Sequence, residues 1–253
     1  MRIDNIFAAS LIALVFGFYT FFQGFKWFKR KRLIEDIPTS KIRSIAMGLV
    51  EVFGEAIPAQ NRILKSPITN NDCVYYKYTV EEYRSSGKSG KWVTIDSGER
   101  GTYFYLKDDT GFVLVDPKGA EIDIPVDFEF KSGFGTDPPE QVKQFLRSRG
   151  ISFEDFFGIN KTMRFREYFI APKDKLYIMG TAGDNPFVEE ASEQAETGDV
   201  MIQKGEDNIY YISDRSEKEL LKSMKWKAVL GVFGGMLLIV GSLFVILIYS
   251  GLV

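Results

Sequence analysis

The chain of 253 residues is 45% hydrophobic and 26% charged, with a formal net charge of -2, one Cys and no His. This composition is typical of a folded protein with one large or two small domains and excludes a disordered chain. A single Cys excludes an intramolecular disulfide. Without His, the sequence also lacks the ligands for a zinc finger or a RING-type zinc module and the base of a Ser-His-Asp triad.

Two long uncharged segments near the ends predict membrane-spanning helices. Residues 6–25 and 228–249 contain no charged side chain, and a helix of ~20 residues is ~30 Å long, about the thickness of the hydrocarbon core of a bilayer. A cleaved signal peptide is the alternative for the first segment, although its apolar region would be shorter, about 7–15 residues. A buried core helix is the alternative for the second segment. We predict an N-terminal anchor at 1–32, a soluble domain at 33–217 and a C-terminal membrane helix at 218–253.

Basic residues cluster where each predicted helix meets the central region. These two collars contain Lys26, Lys29, Arg30, Lys31 and Arg32 on one side and Lys218, Lys222, Lys225 and Lys227 on the other. Positive flanks stay in the cytoplasm, so we predict a two-pass protein of the cell membrane with a cytoplasmic domain.

The charge is divided unevenly between the predicted parts. Residues 33–217 carry 22 Lys and Arg against 32 Asp and Glu, a net charge of -10, and the rest of the chain carries +8. The basic collars favour anionic lipid head groups, while the acidic domain would be repelled by nucleic acid phosphates. The lipid bilayer is therefore an expected partner and nucleic acid is not.

The central region has mainly β-strand patterns. Residues 73–80 are rich in aromatic and β-branched side chains, and 85–91 predict a polar loop. Residues 103–124 predict a three-stranded meander, with a Pro- and Gly-containing turn at 116–119. Further strand patterns occupy residues 44–57, 92–95, 163–170, 175–179 and 208–212.

One helix is predicted between the strands. Asp137 is the expected N-cap, Glu140 completes a capping box, and Gly150 ends the helix. Its apolar face consists of Val142, Phe145 and Leu146. Residues 151–159 are expected to cover the sheet.

A second capping box, Ser216 with Glu219, predicts a helix that continues into the membrane. The predicted fold class is α+β and mainly β. It is an antiparallel barrel- or sandwich-like domain with one or two helices, flanked by two transmembrane helices.

Several blocks of the sequence resemble a known family. Residues 38–54 are similar to the start of the GIDE, or beside-a-membrane (BAM), domain, which occurs in the mitochondrial ubiquitin ligase MULAN, in its plastid relatives and in archaeal and bacterial proteins. Later blocks that resemble the family are 66–68 with 73–76, the 116–120 turn, 168–180 and 211–217.

The resemblance implies a domain between two membrane helices that binds or senses a partner. In the eukaryotic ligases a cytosolic RING module follows the second helix, whereas only Ser250, Gly251, Leu252 and Val253 follow it here. With one Cys no RING is expected, so ligase activity is not carried over, and a prokaryotic source fits this RING-less chain. The resemblance also implies that the domain faces away from the cytosol, opposite to the prediction from charge.

No local motif predicts catalytic, cofactor-binding or metal-binding residues. Cys73 precedes an aromatic strand and is interpreted as a buried small hydrophobe. The triplet at 87–89, Gly-Lys-Ser, resembles the end of a phosphate-binding loop but lacks the upstream Gly and is interpreted as a hairpin tip. The Gly-Phe-Gly at 133–135 is interpreted as a spacer.

Two polar segments allow more than one interpretation. Residues 184–199 contain six acidic side chains and no Lys or Arg, which favours a solvated loop, with a cation or a basic partner as the alternative. Residues 160–162 form an N-glycosylation sequon that would stay unused in a cytoplasmic domain.

Small residues in the predicted membrane helices indicate close helix packing. Gly231 and Gly235 form a GxxxG pair, and Ala9, Ala13 and Gly17 have the same spacing. Packing within the hairpin is expected first, and a homo-oligomer through Gly231 and Gly235 is the alternative.

Two functions are compatible with these observations. The favoured hypothesis is a non-enzymatic, membrane-tethered module that binds an unidentified protein or small ligand, without a cofactor. The alternative is a membrane-tethered hydrolase that uses carboxylates, such as Glu81 or Glu82 with Asp96, or a Ser-Lys pair.

Overall fold

The structure is a computed structural model that describes residues 2–36, 39–59, 62–86, 89–154, 158–187, 199–206, 209–214 and 217–250. The chain forms two compact units. One unit is Thr39–Arg215, and the other combines Met1–Pro38 with Ser216–Val253.

The terminal unit is a pair of long helices, α1 (Arg2–Asp36) and α3 (Glu217–Tyr249). Each contains a stretch long and apolar enough to cross a membrane, Ile6–Lys29 and Met224–Tyr249. Only 11% of the residues in either stretch are buried, which disfavours the core helix of a soluble protein.

Glycines allow the two helices to pack closely. A Cβ atom at Gly231 would lie 2.6 Å from Gly24 Cα, and one at Gly235 would lie 2.8 Å from Gly17 O. The GxxxG pair therefore lies at the contact between α1 and α3.

A closed five-stranded mixed barrel forms the centre of the other unit. Its strands are β1 (Gly48–Pro58), β6 (Phe104–Lys107), β7 (Phe112–Val115), β11 (Lys175–Asp184) and β12 (Val200–Gln203). β1 pairs antiparallel with both β6 and β11. β12 pairs antiparallel with β11 and parallel with β7. The fold class is confirmed, and the parallel pair is a feature that the sequence did not predict.

Every second side chain of the barrel strands points inward, and these side chains fill the barrel. Val52, Ala56, Leu106 and Ile178 are completely buried in one cluster with other aliphatic side chains. The residues that alternate with them along the strands lie on the outer face. One of these is Glu55, which is paired with Lys107 and Lys175. This is the period-two pattern of strands with one buried face.

Two short strands extend the barrel sheet beyond β11. They are β13 (Tyr211–Ser213), antiparallel to β11, and β8 (Glu121–Asp123), parallel to β13. The predicted meander over 103–124 is therefore wrong in its third strand, because β12 takes the free edge of β7. The strand predicted at 208–212 begins at Tyr211 instead.

A separate four-stranded antiparallel sheet has the order β5-β4-β10-β9. Its strands are β4 (Tyr75–Ser86), β5 (Ser89–Gly101), β9 (Phe128–Ser132) and β10 (Met163–Ile170). β4 and β5 form one long hairpin, so the loop predicted at 85–91 is mostly strand. The strands β2 (Leu64–Lys65) and β3 (Asp72–Cys73) form a small ribbon of their own.

The helix α2 (Glu140–Arg149) packs against this sheet. Its face of Val142, Phe145 and Leu146 is buried, and Ile151 and Phe153 pack beside it, as predicted. Residues 155–157 of the predicted cover lie outside the described residues.

The two ends of α2 differ in how well they were predicted. Gly150 ends the helix in the left-handed conformation, with φ of 67°. The predicted cap by Asp137 is wrong: Pro139 occupies the N-cap position, and Asp137 instead accepts hydrogen bonds from Asn160 and Lys143. The predicted cap residue Ser216 of α3 lies outside the described residues.

Candidate ligand-binding cleft

The four-stranded sheet has one apolar and one charged face. In β10 the buried Met163 and Phe165 point to α2. Arg164 and Arg166, which alternate with them, belong to the opposite face. The register places Arg164 opposite Glu81 and Arg166 opposite Thr79. Paired residues share a face, so the antiparallel ladder gathers these four side chains.

Glu81 holds the two arginines together. Its Oε2 accepts a hydrogen bond of 2.8 Å from Arg164 Nε and another from Arg166 Nη2, and the side chain is 13% exposed. The hydrogen bond from Arg164, together with that from Arg166, lowers the pKa of Glu81. The Arg164 guanidinium also lies 4.6 Å from the centre of the Trp92 ring, a cation–π contact. The result is a fixed, partly buried pair of guanidinium groups.

A cleft of about 340 Å³ lies between this charged face and β8. The residues that line it are Tyr75, Lys77, Thr79, Glu81, Ile122, Asp123, Ile124, Arg166 and Tyr168. Its size is within the usual range for small-ligand sites, roughly 300–1,000 Å³.

Two buried polar atoms of the cleft residues are unusual. Thr79 Oγ1 and Arg166 Nε are buried and have no hydrogen-bond partner among the residues that the structure describes. Buried donors without a partner cost about 1–3 kcal/mol each. Lys77 is exposed at the same cleft and forms no ion pair with any described residue.

The acidic groups near the cleft are already hydrogen-bonded. Asp123 accepts a hydrogen bond of 2.8 Å from Tyr211, and Glu99 accepts one of 3.2 Å from Tyr75. Glu81 is held by its two arginines. The formal charges of Lys77 and Arg166 balance those of Glu81 and Asp123 in the cleft lining. Since the two acidic groups are hydrogen-bonded, the donors of Lys77, Thr79 and Arg166 are the groups that can bind a carboxylate or phosphate.

Of the carboxylate pairs considered for a hydrolase, Glu81 and Asp96 lie on opposite faces of the sheet, whereas Glu82 lies opposite Met163 on the face that carries Asp96. Glu81 lies on the charged face, whereas Asp96 is opposite Val80 on the face toward α2, where it accepts a hydrogen bond of 3.2 Å from Tyr78. Glu82 binds Arg84 at 3.0 Å. A carboxylate with a lowered pKa, such as Glu81, is also a poor general acid.

The buried residues Ser66, Ser132 and Cys73 are similarly engaged in structural contacts. The Ser66 hydroxyl donates to Glu167 at 3.1 Å, and the Ser132 hydroxyl donates to the carbonyl of Lys161 at 3.0 Å. Cys73 is fully buried, as predicted, and burial is the main reason why its pKa is raised to about 12. These groups are therefore not activated nucleophiles.

The other segments that the sequence singled out lie away from the cleft lining. Ser89 of the Gly-Lys-Ser triplet begins β5, while 87–88 lie outside the described residues, as do 188–198 of the acidic segment. In the Gly-Phe-Gly segment Phe134 is 88% exposed. Among the described residues, no group of three or more acidic, His or Cys side chains could hold a metal ion.

Sequence reasoning missed Thr79, Arg164 and Arg166. The signal available was the alternation in 163–170, where two arginines share one face of a predicted strand. The sequence could not indicate that this face meets Glu81, which is 83 residues away from Arg164.

A comparison with protein families gives one match. The model of the family described as GIDE, E3 ubiquitin ligase, matches residues 75–247, which is more than half of the chain. The chain belongs to the GIDE family. The match begins at the first residue of β4 and includes the cleft strands, whereas the block at 38–54 lies before it. Searches of curated proteins and of solved structures gave no match.

Proposed function

We propose that this GIDE protein is a two-pass membrane protein whose domain is a non-enzymatic interaction module, and that the cleft binds an anionic group of its partner. The observation that carries the proposal is the pair of buried, unpartnered atoms, Thr79 Oγ1 and Arg166 Nε, beside the cationic Lys77. A carboxylate of a protein or small ligand would accept hydrogen bonds from all three groups.

The chemistry of the chain supports binding over catalysis. The carboxylates, Ser66, Ser132 and Cys73 discussed above are engaged in ion pairs, hydrogen bonds or packing. Ubiquitin ligation through a RING would need several Cys and His ligands, and the sequence has one Cys and no His. We therefore do not extend the ligase description of the family to this chain.

The two apolar helices support a tethered module. If both cross the cell membrane with the basic collars inside, the domain is held at the cytoplasmic face. Confinement there would raise the local concentration of the binding site, so that modest affinity is sufficient.

A peptide library tests the cleft. The full chain in lipid nanodiscs is screened with displayed 12-residue peptides of random sequence. We expect enrichment of peptides with clustered Asp and Glu, and about five-fold weaker binding of those peptides to Thr79→Val, which removes one hydrogen bond but keeps the β-branched shape. Arg166→Lys, which removes Nε but keeps the charge, is expected to weaken binding similarly.

The matched control is Thr94→Val. Thr94 lies opposite Glu81 on the same face of the sheet but does not line the cleft. Equal affinity of the wild type and Thr79→Val for the acidic peptides would contradict the proposal, as would equal losses in Thr79→Val and Thr94→Val.

A further inference from the structure

The helix hairpin contains a second cleft, at the end that carries the basic collars. Its volume is about 360 Å³, and it is formed entirely by α1 and α3. On α1 it is lined by Phe25, Phe28 and Lys31, and on α3 by residues that include Lys225, Val229 and Phe233.

The walls of this cleft are apolar and accessible from the side of the helices. Phe25 is 46% exposed, Val229 38% and Phe233 68%. All three belong to the candidate membrane spans. In a bilayer such side chains contact lipid acyl chains, because no aqueous phase is present at that depth.

One lysine from each helix lines the same cleft. Lys31 lies two residues beyond the span Ile6–Lys29, and Lys225 is the second residue of the span Met224–Tyr249. Both are therefore at the level where lipid head groups begin. Lys225 forms no ion pair with any residue that the structure describes.

A third cation lies close to the aromatic wall. The Arg32 guanidinium is 5.2 Å from the centre of the Phe28 ring. A cation–π contact leaves the outer donors of a guanidinium available to an anion. The cleft thus combines an apolar wall with positive charge at one end.

We propose that this hairpin cleft is a binding site for one anionic phospholipid. An acyl chain lies along Phe25, Val229 and Phe233, and the head-group phosphate accepts hydrogen bonds from Lys31 and Lys225. Basic pockets between membrane helices bind anionic head groups in this way. The site goes beyond the proposed function, with which it shares only the membrane-spanning hairpin.

The closeness of the two helices explains how both lysines reach one lipid. A Cβ atom at Gly24 would lie 2.5 Å from the backbone nitrogen of Val232, which lines the cleft, so the helix backbones are in contact at the cleft itself. This contact fixes the separation of the helix ends. Lys31 and Lys225 are therefore held at one site rather than acting as independent surface charges.

Lipid titration of the full chain tests the site. The protein in neutral detergent receives phosphatidylglycerol or phosphatidylcholine with identical acyl chains, and bound lipid is counted by native mass spectrometry. We expect tighter binding of phosphatidylglycerol. The double variant Lys31→Ala/Lys225→Ala should weaken that binding about 30-fold, corresponding to about five-fold for each lysine.

Two further variants separate the cleft from the general charge of the collars. Lys26→Ala/Lys29→Ala removes the same charge from residues that do not line the cleft and should keep the affinity of the wild type. Val229→Trp keeps every lysine but fills the cleft, and it should lose the tight binding of phosphatidylglycerol. Far-UV circular dichroism confirms that each variant keeps its helices.

Three results would overturn the site. They are equal binding of the two lipids by the wild type, equal losses in the two double-lysine variants, and retained phosphatidylglycerol binding in Val229→Trp. None of these results bears on the cleft between the charged face and β8, which is tested by peptide binding to Thr79→Val.

Discussion

The carboxylate of Glu167 accepts a hydrogen bond of 2.7 Å from the backbone amide of Ile68, which lies 99 residues earlier in the chain. The same side chain accepts bonds from the Thr69 amide at 3.0 Å and the Ser66 hydroxyl at 3.1 Å, and it is completely buried. One carboxylate in β10 therefore holds the segment that precedes β3.

Replacement of Glu167 should destabilise the domain. Glu167→Ala leaves the donors of Ile68 and Thr69 buried without an acceptor, and we expect a loss of about 3 kcal/mol in the free energy of unfolding. Urea unfolding of the full chain in detergent measures the loss. Glu129→Gln is the control, because Glu129 lies on the neighbouring strand in an exposed ion pair with Lys131 and should change stability by less than about 0.5 kcal/mol.

The ion pairs of Glu81 predict that the free energy of unfolding decreases at low pH. The pKa of Glu81 is lower in the folded domain than in the unfolded chain, where it is about 4.3. Its stabilisation is therefore complete above about pH 4.3 and is lost as the pH falls through the lowered value. We expect Glu81→Gln to cost about 2 kcal/mol at pH 7 and progressively less below pH 4.

Urea unfolding at a series of pH values measures this difference. Glu82→Gln is the matched control, because Glu82 is adjacent in β4 and binds one arginine at 3.0 Å. A cost of Glu81→Gln that stays constant down to pH 2 would show that the carboxylate does not act through its charge.

Local sequence patterns predicted the positions of the strands better than the pairing between the strands. Residues 112–115 and the turn at 116–119 predicted a third strand beside β7, and this strand forms as β8. However, Leu114 pairs with Met201, and the Asp116 amide donates to the carbonyl of Ile202 at 3.0 Å. Pairing between strands so distant in the sequence leaves no periodic signal.

The candidate cleft was missed for the same reason. The alternation in β10 assigns Arg164 and Arg166 to one face, which the sequence could show. Their contact with Glu81 depends on the antiparallel register of β10 and β4, and the cleft also depends on β8. A tertiary contact likewise decided the role of Asp137, which binds Asn160 at 2.6 Å instead of capping α2.

Packing of the hairpin gives a prediction with a control in the same helix. A Cβ atom at Gly231 would lie 2.6 Å from Gly24 Cα, whereas one at Gly234 would lie within 4 Å of no described atom beyond its chain neighbours and its own helix backbone. Gly231→Leu should therefore separate α1 from α3, and Gly234→Leu should not. Crosslinking by a short bis-maleimide between cysteines placed at Phe7 and Tyr249, whose rings are 5.8 Å apart, measures the separation. Equal crosslinking in both variants would contradict the close approach.

The only cysteine should be unreactive in the folded protein. Cys73 is buried, and its pKa of about 12 leaves almost no thiolate at pH 8. We expect a maleimide reagent to modify Cys73 only after denaturation, with the mass increase measured by mass spectrometry. Ser89→Cys, at an exposed position, should add one site that reacts without denaturant.

The Ser89→Cys variant also tests the orientation in the membrane. Since Cys73 is buried, a membrane-impermeant maleimide should report the position of residue 89 alone. If the positive collars are cytoplasmic, the reagent labels inverted membrane vesicles and leaves intact cells unlabelled. The opposite pattern would place the domain outside the cytoplasm. A glycan on Asn160 in a eukaryotic host would lead to the same conclusion, because glycosylation of the sequon requires a domain on the lumenal side of the membrane.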